Sequence, residues 1–435
     1  MAAWIPDRPL ERWEREIQGI LFLFIATVTM FVQWNFHGHD PIEFLLHGND
    51  SLGYYQWLPA AFITGEYDHL QWAAQTPQGT WISLFTLGLA VVWLPFFLLG
   101  HLLAGFMGYP QDGYSSPYGV AFMFGASLIA GAAITVAFRL ARRFSGTMPA
   151  AAAAVTLYAG TNLLHYCVAQ SNMSHLPSMF LIGVYALSSL RILDGVGRWN
   201  VLLLIISGGL LFLIRQTNVF VLLLPFLFAG VRSGALQLGQ ALRQRWGELL
   251  VGGLFVAVPF VLQMVYWYHI TGSAITFTYG AKGEHFEFTR MVPGRVLFDV
   301  RNGWLVYTPL FIPVLIVLVR AAWRGQSPAR TVLLLVVATL VIYSAWWSWY
   351  LGTAYGHRGF IDLYALLAIP LAWLFAAVQR RSFVAQLAAA LLLVVLIHVN
   401  VGLIEHYHWR WSSERWTWQH LFVVVSDLFI LENKP

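Results

Sequence analysis

Apolar runs of about twenty residues recur from one end of this chain to the other, each long enough to cross a hydrocarbon core of ~30 Å as a helix. They fall near residues 17–35, 117–138, 149–166, 176–193, 200–214, 217–231, 249–269, 304–320, 331–348, 363–378 and 383–403. A soluble domain carries about 25% charged residues, whereas this chain of 435 residues carries 10% and is 58% hydrophobic. The expected fold class is therefore all-α, a polytopic transmembrane helical bundle of about eleven spans. With no internal repeat and no low-complexity linker, residues 1–435 read as a single transmembrane domain.

The net charge of +5 is not a signal for nucleic acid, because the arginines sit mostly in short connections between apolar runs. One cysteine, Cys167, excludes an internal disulfide and a cysteine-based metal cluster. The first run is long and no small-residue cleavage site follows it, so it reads as an anchor and not as a cleavable signal.

Orientation follows from the arginines. Arg139, Arg142 and Arg143 share one connection, and Arg191 and Arg198 another. Arg232, Arg243 and Arg245 follow, then Arg320, Arg324 and Arg330, then Arg380 and Arg381. These clusters alternate along the chain and are expected in the cytoplasm. A further apolar stretch, 81–108, is interrupted by Pro95 and Gly100. If it only dips into or lies against the outer leaflet, Arg8, Arg12 and Arg15 also stay inside. The expected placement is then the cell inner (plasma) membrane, with a cytoplasmic N-terminus and the C-terminus outside. Residues 36–116 form a first outer loop with juxtamembrane helices, 271–303 and 350–362 further outer loops, and 404–435 a Trp-rich interfacial tail.

Chemistry is sought on that outer face. "HDPIEF" reads as a helix start capped by Asp40. Asp50, in "HGNDSLGYYQW", has two readings that stand side by side. It caps the helix that follows, or it serves as a carboxylate beside the aromatic surface of Tyr54, Tyr55 and Trp57. Asp68 with His69 reads more simply as a solvated loop pair.

Arg358 lies in the Gly-rich loop "GTAYGHRGFIDLY", on a side where orientation requires no cation. Its planar fork suits phosphate oxygens, a reading weighed above an ion pair with Asp362 at helical spacing. Arg215, in "LIRQTNVF", either faces a polar cavity or snorkels to headgroups. Lys282, Glu284, Arg295 and Arg301 belong to the densest charge cluster, within 271–303. His165 and His175 carry no metal-ligand spacing.

The pieces "NDSLGYYQWLPAAFITGEYD", "LFTLGLAVVWLPFFLLGHLLA", "SNMSHLPSMFL", "RQTNVFVLLLPFLF" and "AYGHRGFIDLYALLAIP" occur in an order that resembles the C-type (GT-C) integral-membrane glycosyltransferases. The resemblance is to enzymes that use polyprenyl-phosphate sugars, such as protein O-mannosyltransferases and aminoarabinose transferases. It covers most of the chain by layout and only these patches by motif.

The resemblance implies Asp50 as the first-loop catalytic acid and Arg358 as a ligand of the carrier phosphate, with inversion at the sugar. Asp68 would correspond to a second first-loop acid, although the Pro-rich segment expected after it is reduced to "TPQG". Arg215, Lys282 and Arg301 are further candidates for the phosphate, and Tyr54, Tyr55 and His357 for acceptor or sugar contacts. Expected partners are a polyprenyl-phosphate lipid, the bilayer and other membrane proteins, with no nucleic acid. No motif establishes a cofactor, although Asp50, Asp68 and a glutamate could offer oxygen ligands to a divalent cation. The rival class is a non-enzymatic membrane protein, a lipid or solute transporter or a subunit of a larger complex.

Overall fold

A computed structural model of the chain describes residues 8–38, 40–42, 50–67, 70, 72–77, 79–195, 199–407 and 409–430. Among them the protein is mostly helical, and its sheet is one antiparallel pair, β1 (Ala73–Gln75) with β2 (Trp81–Ser83). Eight helices are long and apolar enough to cross a membrane, nine if one bent pair is a single span. The long helices are α1 (Arg12–His37), α3 (Gly88–Met107), α4 (Ser116–Ser145), α6 (His175–Leu193), α8 (Trp246–Thr271), α10 (Ser327–Ala345), α11 (Tyr364–Gln379, preceded by a 3-10 turn from Arg358) and α12 (Phe383–Glu405). Shorter helices are α2 (Asp50–Tyr55), α5 (Thr147–Ala159), α7 (Asn200–Ile214), α9 (Phe311–Trp323) and α13 (Trp418–Asp427).

Several runs that read as continuous in sequence are broken in space. The run 149–166 is split at 160–162 into α5 and the helix Leu163–Val168. The run 217–231 begins as a 3-10 helix, Gln216–Leu223, and its α-helical continuation is bent by 104° into Val231–Gln244. Pro309, which has no N–H to give, separates the turn Trp304–Tyr307 from α9. The number of helices that meet a length criterion is therefore smaller than the number of apolar runs.

α4 and α6 form the centre and are mostly buried, whereas α8 and α12 expose apolar side chains on nearly every face, as lipid-facing helices do. One end of the bundle collects the arginines. There Glu14 of α1, fully buried, pairs with Arg142 at 3.2 Å and with Arg8 at 2.7 Å. Arg143 holds Asp194 at 2.5 and 2.9 Å. Trp373 of α11 donates to Phe144 O, and Ser327 donates to Phe228 O, which brings the Arg380–Arg381 and Arg320–Arg330 segments to the same end.

α3 has the length to span but does not run the length of the bundle. Thr86, just before it, donates to Leu213 O at the far end of α7. Phe96 lies over Gly125, where a Cβ would fall 2.5 Å from the ring, and His101 Nδ1 is 2.6 Å from the Tyr118 hydroxyl. α3 thus packs on the first turns of α4, and the connection to Ser116 is folded back, with Gln111 bonded to His101 O. Both of its ends lie away from the arginine-rich end.

Candidate functional site

The end opposite the arginine clusters holds a cavity of about 530 Å³. Its charged residues come from four separate segments: Asp50 on α2, beside Tyr54, Arg215 after α7, Lys282 and Glu284 in the loop after α8, and Arg358 before α11. The rest is largely aromatic, including Trp72, Phe85, Tyr279, Trp346 and Trp347.

Arg358 Nη2 donates to Asp50 Oδ2 at 2.8 Å. Both side chains are partly sheltered, Arg358 at 15% and Asp50 at 32% exposure. Arg358 can face α2 because the preceding loop turns tightly, through left-handed backbone at Leu351, Gly352 and Gly356. The next residue, Gly359, lies against the Tyr343 ring, where a Cβ would fall 2.1 Å from a ring carbon.

Each of the three cations has a carboxylate of its own. Asp50 serves Arg358, Asp362 lies 3.8 Å from Arg215 Nε, and Glu284 lies 3.7 Å from Lys282 Nζ. Lys282 also stands over the Trp72 ring at 5.5 Å. Burial pushes the Glu284 carboxyl above its ordinary range, against the opposing pull of Lys282, and it pushes the Tyr54 phenol up as well. Phe277, Phe288, Val219 and Trp347 line the cavity while also exposed on the outer surface, so an apolar opening joins the charged interior to the exterior.

The other candidates lie elsewhere. Tyr55 donates to Gly113 O and packs edge-on against Phe122, outside the cavity. His357 is fully buried with Nε2 on Trp349 O at 3.0 Å, behind the wall. Arg301 pairs with Asp299 at 3.7 Å and Glu414 at 3.9 Å and stacks over Trp349 and Tyr350, so it faces the C-terminal tail. Asp68 and His69 lie outside the described residues. Asp362 does not pair with Arg358 at helical spacing; it accepts from His175 Nδ1 at 2.8 Å and from Asn218 at 3.2 Å.

His175 and Tyr343 did not stand out in the sequence as partners of Arg215, nor Asn218 as a partner of Asp362. The available signal was a polar residue inside or beside an apolar run, which needs a buried partner. Among the described residues no three histidine, cysteine, aspartate or glutamate side chains gather as a metal site. Compared with known proteins, the chain gives no significant match to a family model, a curated protein or a solved structure.

Proposed function

We propose that the protein is a membrane glycosyltransferase of GT-C type that transfers a sugar from a polyprenyl-phosphate donor at the outer face of the cell inner membrane. One observation carries this reading: a carboxylate and a guanidinium meet at 2.8 Å in the wall of an aromatic cavity that two further cations line. The apolar opening suits a prenyl chain, Arg358, Arg215 and Lys282 suit phosphate oxygens, and the aromatic faces suit a sugar ring. The mostly helical fold, with the cavity at the end away from the arginine clusters, agrees with an outward-facing site under the positive-inside rule.

In the reaction, an acceptor hydroxyl attacks the anomeric carbon as the bond from that carbon to the phosphate oxygen breaks. The electron pair leaves with the polyprenyl phosphate, whose charge the cations stabilise. The hydroxyl proton passes to the Asp50 carboxylate. A carboxylate is a weak base toward an alcohol, so proton transfer comes late and contributes about 10²–10⁴-fold. Direct displacement inverts the anomeric centre.

Native mass spectrometry of the purified chain with a polyprenyl phosphate, comparing wild type with Arg358→Ala, tests the reading. Retention by wild type and loss by the variant supports a carrier site. Absence of binding in both removes the donor and favours a transporter or complex subunit.

A further inference from the structure

Arg215 is gripped by a chain of side chains that stays mostly behind the cavity wall. Its Nη1 lies 3.1 Å from His175 Nε2 and 3.2 Å from Ser174 Oγ, and its Nη2 donates to the Tyr343 hydroxyl at 2.7 Å. Nε faces Asp362 Oδ2 at ion-pair distance, 3.8 Å. The same Nη1 is 3.5 Å from His175 Nδ1, so the guanidinium lies against the imidazole ring with both ring nitrogens within reach. On its other side the ring meets Asp362, whose Oδ1 accepts from Nδ1 at 2.8 Å. Asn218 donates to the other oxygen of Asp362. Asp362 and His175 are both buried.

Arg215 also lines the cavity, so the guanidinium that these contacts hold in place borders it. A guanidinium built only to neutralise Asp362 would not need Tyr343, which also lines the cavity. We propose that Asp362, His175 and Tyr343 are positioning residues that aim Arg215 at the phosphate of the lipid carrier, a diester in the sugar donor and a monoester once the sugar has left. Arg215 is then a second phosphate ligand, distinct from Arg358. The inference rests on the reading of the cavity as a phosphate-lipid site and names the residues that set its affinity.

The test is a double-mutant cycle on the dissociation constant of geranylgeranyl phosphate for the full chain in detergent, with inorganic phosphate measured alongside. Arg215→Ala is expected to weaken binding about 10- to 100-fold, as loss of a charge-assisted hydrogen bond does. Tyr343→Phe, which removes one hydroxyl, is expected to weaken it about three- to tenfold. Asp362→Asn should weaken it as well. In the Arg215→Ala background, neither Tyr343→Phe nor Asp362→Asn should weaken it further, because both act through Arg215.

Additive losses would overturn the proposal, since a merely structural role adds in any background. Binding that Arg358→Ala abolishes but Arg215→Ala leaves unchanged would overturn this inference alone. No binding of the lipid phosphate by wild type would overturn the phosphate-lipid reading and this inference with it. Inorganic phosphate bound as tightly as the lipid phosphate would keep the positioning role and assign the site to free phosphate.

Discussion

Asp50 and Arg358 stand 308 positions apart in the chain and 2.8 Å apart in space. Each occupies the group the other would offer to a substrate. The guanidinium that would hold a phosphate holds a carboxylate, and the carboxylate that would take a proton is engaged by a cation. On the proposed reading, an incoming phosphate would compete for Arg358 and, by taking it, would free Asp50.

This competition gives Asp50→Asn two opposite effects. Transfer should fall by about 10²–10⁴-fold, the usual worth of a positioned base. Affinity for a polyprenyl phosphate should hold or rise, because the competing anion is gone while the amide keeps the size. Parallel turnover and binding measurements check both, and a fall in affinity equal to the fall in turnover would make Asp50 a structural partner of Arg358 only.

Arg358→Lys keeps the charge and loses the planar fork. Phosphate binding is expected to weaken about tenfold, less than for Arg358→Ala, because a point charge replaces paired hydrogen bonds. Titration of both variants with the same lipid reads this directly.

Binding should also depend on pH through Glu284. Its carboxyl is raised by burial, so as pH falls it becomes neutral before a free carboxylate would. Once neutral it no longer neutralises Lys282, 3.7 Å away, and the cavity gains positive charge. Anion affinity should therefore increase as pH falls through that raised value, and Glu284→Gln should flatten the profile. The linkage to stability has the same sign. The folded protein holds this proton more tightly than the unfolded chain, so stability from Glu284 is present below the unfolded value and is lost as pH rises through the folded one.

At the opposite end, Glu14 is a test of the scaffold. It is fully buried and meets Arg142 and Arg8, and the Thr147 hydroxyl donates to it. Glu14→Gln removes a buried carboxylate from its pairing with Arg142 and should cost about 3–5 kcal/mol. Thermal unfolding in detergent should show the loss. Phosphate affinity in the remaining folded protein should be unchanged, because the cavity lies at the other end.

The sequence by itself determined the helical, multi-pass character of the chain, because runs long enough to cross a bilayer must satisfy their backbone internally. It also separated the arginine clusters from the polar loops, because charge in short connections follows membrane topology. Asp50, Arg358, Arg215 and Lys282 were legible as candidates through their place in the chain. Asp50, Lys282 and Arg358 are charges in polar loops between apolar runs, and Arg215 interrupts two short ones.

Only the tertiary structure decided which of these charges meet. Asp362 lies four residues from Arg358 but turns to His175 and Asn218, since the intervening residues form a 3-10 turn that does not follow α-helical spacing. Arg301 belongs to the same charged loop as Lys282 yet faces the C-terminal tail, and no local pattern distinguishes the two. The oblique placement of α3 depends on Phe96 over Gly125 and on Thr86 bonded at the end of α7. Its apolar length would equally permit a full crossing. Pairings across hundreds of residues depend on how helices pack, and periodicity along one helix carries no record of its neighbour.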